Sequence, residues 1–65
     1  MLTLQWSIPN QVWFVMFGNT LTDINGERMF DTLDNADSAL KSVGLKRKPT
    51  NNKTVYEIVL ETENS

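Results

Sequence analysis

The chain has 65 residues, six basic and eight acidic, for a formal net charge of −2, and it contains neither cysteine nor histidine. Disulfides, thiolate zinc sites and imidazole ligands are thereby excluded, as are the histidine base and cysteine nucleophile of much enzyme chemistry. A hydrophobic fraction of 40%, with two Trp, one Tyr and three Phe, marks a chain that folds.

A domain this short buries only about 60% of the surface its unfolded chain exposes, so its stability margin is thin. With no disulfide or imidazole site to staple it, a partner surface is the remaining support. The pI of about 4.8 argues against a general affinity for nucleic acid or anionic lipid. The first ten residues, MLTLQWSIPN, have no basic or long apolar region of a signal peptide, and VWFVMFG is too short to span a membrane. A cytoplasmic location and no membrane contact are the expectation.

In chain order, LTLQWSI alternates Leu2, Leu4, Trp6 and Ile8 with polar residues, the period of a half-buried strand. Pro9-Asn10 ends it. QVWFVMFG is apolar at six successive positions, which predicts a strand covered on both faces. Gly18 reads as a bulge, with Thr20 to Ile24 continuing in extended form. Asn25-Gly26 is the strongest hairpin signal, since both residues tolerate positive φ. Pairing outward from it sets Asp23 opposite Arg28 and Leu21 opposite Phe30.

DTLDNADSALKSVGL predicts a helix with its start and stop written in. Thr32 suits the N-cap, and Asp34 and Asp37 suit the positive end of the dipole. Leu33, Ala36, Leu40 and Val43 form the apolar stripe, with Ala39 beside it. Gly44 fits the left-handed position that follows, with Leu45 packing back on Leu40. KRKP is then a short extended piece, followed by a polar turn. TVYEIVLE closes the fold, with Tyr56, Ile58 and Leu60 on one face, and residues 62–65 form a tail. The order β-β-β-α-(β)-β predicts one α+β domain over 1–65. Its small antiparallel sheet has three strands before the helix and one or two after, and the single helix packs on one face.

Three groups of residues are candidate sites. The acidic pairs, such as Asp34 with Asp37, sit where dipole partners belong, and no catalytic, cofactor or metal residue is assigned. Lys46, Arg47, Lys48 and Lys53 would flank a hairpin able to meet phosphates, a nucleic-acid contact. Against it stand the absence of interleaved aromatics and the ordinary use of lysine to guard a sheet edge. The run Asp23, Glu27, Asp31, Asp34 and Asp37 raises mimicry of nucleic acid, though five charges are few.

The third group comes from the doubly apolar strand. Counted without a bulge, Trp13, Val15, Phe17 and Leu21 share one face with Phe30, and Phe14, Met16, Ile24 and Met29 share the other. One helix covers one side of a sheet, so the second set needs another cover. Either the first strand folds back over it through Leu4, Trp6 and Ile8, or a second protein or a second copy docks there. Met and aromatic residues favour the docking surface. The expected function is a non-enzymatic regulator or inhibitor working by protein contact, with nucleic-acid binding as the alternative.

Overall fold

A computed structural model describes residues 1–62; the rest of the expected tail, 63–65, lies outside the described residues. The elements are β1 (Leu2–Ser7), β2 (Val12–Phe17), β3 (Thr20–Leu21), β4 (Met29–Phe30), α1 (Leu33–Ser42), β5 (Leu45–Pro49) and β6 (Val55–Leu60). They form one antiparallel sheet in the order β3-β2-β1-β6-β5, with β4 also paired to β2. The helix packs against one face, as the α+β reading predicts.

Strand β1 lies at the centre of the sheet, between β2 and β6, and is not a lid. Its register sets Leu4 opposite both Val15 and Tyr56, and Trp6 opposite Trp13. Arg47 of β5 lies opposite Ile58 of β6. Because side chains alternate across a strand, these residues form the helix-side row. The core is built there, from Leu4, Trp13, Val15, Phe30 and Ile58 on the sheet and Ala36 and Leu40 on the helix.

The β1–β2 connection is a four-residue loop in which the Gln11 N–H donates to the Ser7 carbonyl at 2.8 Å and Gln11 takes a φ of 54°. Gly18 turns out to be a turn residue and not a bulge. Phe17 pairs with Thr20, so Gly18-Asn19 is a two-residue hairpin, with Gly18 at φ 61° where such turns need it. Asn25 and Gly26 also take positive φ and close a tight turn through the Ile24–Glu27 bridge.

That second turn does not build the long hairpin the sequence suggests. Leu21 pairs with Met16, and Phe30 pairs with Trp13, so the two never face each other. β3 and β4 instead lie end to end along one edge of β2. Val15 holds the junction, accepting from the Thr22 N–H at 2.9 Å and donating to the Arg28 carbonyl at 3.1 Å. Residues 23–27 loop out between them, spanned by the Asp23–Arg28 ion pair at 3.2 Å. Both partners are more than half exposed, so the pair contributes less than about 1 kcal/mol.

The helix follows its local signals. Thr32 has an extended backbone, and its Oγ1 accepts from the Asn35 N–H at 3.1 Å. Ala36 and Leu40 are fully buried, whereas Val43 is the C-cap and is exposed. Gly44 takes φ 77° and donates to the Lys41 carbonyl at 3.1 Å. Gly44→Ala should cost about 1–2 kcal/mol from left-handed strain alone, because open space surrounds the position. A lowered urea midpoint with an unchanged slope is the expected reading, and coincident midpoints would refute it.

Candidate binding face

Alternation sends every second residue of the strands away from the helix, and no described element packs on that side. The open face carries Thr3 and Gln5 on β1, Val12, Phe14 and Met16 on β2, Leu21 on β3 and Met29 on β4. Beyond β1 it carries Val55, Glu57 and Val59 on β6 and Lys46 and Lys48 on β5. None of these residues is buried.

The face is divided. Its apolar half lies on β2, β3 and β4, where Phe14 pairs with Met29 and Met16 with Leu21. Phe14 and Met16 are half-buried by their neighbours, Leu21 is 39% exposed and Met29 is 55% exposed. At roughly 25 cal/mol per Å², covering such a block is strongly favourable. The centre is polar, with Gln5 Nε2 donating to Thr3 Oγ1 at 3.0 Å. At the far edge Lys48 stands opposite Glu57 in register.

Of the four residues predicted for this face, Phe14, Met16 and Met29 share it and Ile24 does not. Ile24 is 7% exposed and belongs to the helix-side core. It sits in the excursion between β3 and β4, where strand parity no longer counts. Leu21 takes its place. A two-residue turn at Gly18-Asn19 makes Leu21 the partner of Met16 and flips it from the side that a continuous strand would give. The Gly-Asn pair was the available signal.

The four basic candidates are scattered. Arg47 faces the helix, where Nε donates to Asp37 Oδ1 at 2.8 Å and Nη2 to Oδ2 at 3.0 Å. Its guanidinium also stacks over the Tyr56 ring, 4.7 Å from the centroid. The hydrogen bond to Asp37 raises the Arg47 pKa above its ordinary value, outweighing partial burial, which lowers it. The guanidinium therefore stays charged throughout the working pH range. Lys46 and Lys48 alternate to the open side, and Lys53 belongs to the 50–54 turn. That turn is held by Thr50 Oγ1 donating to the Val55 carbonyl at 2.7 Å and by Asn52 Oδ1 accepting from the Thr54 N–H at 2.9 Å. The acidic run is divided too, with Asp23 held by Arg28 and Asp37 by Arg47.

Sequence reasoning missed an aromatic row under the helix. Trp6 and Trp13 have ring centroids 5.1 Å apart, and Trp13 and Tyr56 lie 5.5 Å apart. Each residue was visible as the inward member of its strand, but their meeting needed the strand order. No helix among the described residues is long and apolar enough to cross a membrane. No known family, curated protein or solved structure matches this chain. The open face therefore has to be read from its own chemistry.

Proposed function

We propose that this chain is a non-catalytic binding protein of the cytoplasm that docks through its open sheet face. Its partner is another protein or a second copy, and it acts as a regulator or inhibitor by occupying a surface. The observation that carries this reading is the uncovered apolar block of Phe14, Met16, Leu21 and Met29, on a sheet whose other side already has its helix. The edges favour face docking over strand addition. β5 carries Lys46, Lys48 and Pro49, and the opposite edge is broken between β3 and β4. An apolar block with lysines beyond it also has the core-and-rim composition of an interface.

Phe14→Glu tests it. The variant should stay folded by circular dichroism and fail either to self-associate, as measured by sedimentation, or to capture a partner when the chain is immobilised. A folded variant that still binds as the parent does would overturn the face assignment. The nucleic-acid alternative is checked on the same samples. A gel shift that weakens steeply with salt, and is lost when Lys46, Arg47 and Lys48 become Gln, would move the function there.

A further inference from the structure

The open face is ruled into two cross-strand rows, two residues apart along the strands. The first runs Leu21, Met16, Thr3, Glu57 and Lys48 across the sheet, each paired with the next in register. The second runs Met29, Phe14, Gln5 and Val55 in the same way. Strand by strand the two rows match in kind. Both are apolar on β2 and along its edge, and both are polar on β1. Charge enters these rows only beyond β1, through Glu57 and Lys48.

Such a pattern is self-complementary about one axis. Two aligned sheets packed face to face keep their strands within about 30° of each other, which leaves a two-fold axis either along the strands or across them. An axis along the strands through β1 lays Met16 on Glu57 of the second copy and Leu21 on its Lys48. Moved towards the edge, that axis lays apolar on apolar but overlaps only β2 with β3 and β4. An axis across the strands, midway between the rows, lays each strand on its own counterpart. Leu21 then meets Met29, Met16 meets Phe14, and Thr3 meets Gln5, a hydroxyl on a carboxamide. The charged ends come together without net charge in these rows, because each copy brings one carboxylate and one ammonium.

Area favours the same axis. Five strand positions lie side by side, and β1, β2 and β6 are six residues long. At about 4.8 Å between strands and 3.3 Å per residue, the face covers roughly 480 Å². Full overlap therefore buries about 1,000 Å² over both copies, the size at which a specific interface begins. The two-strand overlap falls to less than half of that.

We propose that the open face binds a second copy of this chain, sheet on sheet, about a two-fold axis across the strands between the two rows; this rests on reading that face as the docking surface. Dimerisation covers the apolar block that no other described layer of this 65-residue chain covers.

The facing of Leu21 with Met29 of the second copy allows a test by charge exchange. Both residues are exposed at the sheet edge, so Leu21→Lys and Met29→Glu should each stay folded by circular dichroism. The parent should show a concentration-dependent monomer–dimer equilibrium in sedimentation. Each variant alone should dimerise at least about tenfold more weakly, because its charge meets an apolar side chain in place of water. An equimolar mixture should return to within about threefold of the parent, since the introduced ammonium and carboxylate then face each other. A parent that stays monomeric up to about millimolar concentration overturns the second copy as occupant. That outcome leaves the face reading standing, with Phe14→Glu as its own test against a different protein. A dimer that neither variant nor Phe14→Glu weakens overturns the proposal together with the face reading. Two weakened variants whose mixture stays monomeric overturn the axis, and with it the proposal.

Discussion

Ile24→Glu is expected to unfold the domain, whereas Met29→Glu, five residues later, leaves it folded. Both residues are apolar and both flank the Asn25-Gly26 turn, so composition does not separate them. Ile24 is 7% exposed and packs in the core with Val15, Phe30 and Leu40. A carboxylate there would be buried among apolar groups, and the effective penalty is several kcal/mol per unpaired ion. A single core in a chain this short rarely supplies more than about 3–5 kcal/mol of stability. Met29 pairs with Phe14 on the open face and is 55% exposed, so a carboxylate there stays in water. Circular dichroism at neutral pH should show loss of ordered structure in the first variant and a native spectrum in the second. A folded Ile24→Glu would mean that the 23–27 excursion can swing its side chain out of the core.

Leu40→Ala has the next largest expected effect. Leu40 is fully buried and belongs to the core cluster that joins the helix to the sheet. Leu→Ala at such sites costs about 2–5 kcal/mol, through lost transfer energy and the cavity left behind. Against a margin of about 3–5 kcal/mol, most of the stability goes. The melting temperature should fall by about 10 °C or more, since each kcal/mol moves a domain of this size by roughly 4–8 °C. Val43→Ala is the internal comparison. The helical stripe places Val43 beside Leu40, yet it caps the helix in solvent, so its truncation should stay within about 0.5 kcal/mol. Equal losses at the two positions would show that the helix is rotated or extended beyond Ser42.

The features legible in the sequence are those written over a few adjacent residues. The helix needed only Thr32, its apolar spacing and Gly44, all within one turn of the residues they control. The Asn25-Gly26 turn and the inward Tyr56 and Ile58 of β6 were readable for the same reason, whereas Leu60, expected beside them, is 63% exposed at the end of its strand. The candidate face was partly legible. Phe14 and Met16 follow from alternation within β2, and Met29 from its place opposite the inward Phe30. Ile24 was misplaced because counting by twos assumes an unbroken strand, and the chain leaves the sheet at residue 23. Leu21 was misplaced because a two-residue turn reverses parity, so a residue four beyond Phe17 lands on the other side.

By itself the sequence determined the class of the domain, the helix and its ends, the two-faced apolar character of β2 and the exclusion of histidine and cysteine chemistry. Those properties depend on residue type and short-range periodicity, which the chain carries locally. Only the tertiary structure decided that β1 sits at the centre and that no other described element covers the Phe14–Met29 face. It alone split Arg47 from Lys46 and Lys48 and brought Trp6 beside Trp13 under the helix. The physical reason is that strand order and register are settled by pairings between residues far apart in the chain. Each strand offers the same backbone hydrogen bonds to any partner, so the choice among partners rests on the packing of the whole core.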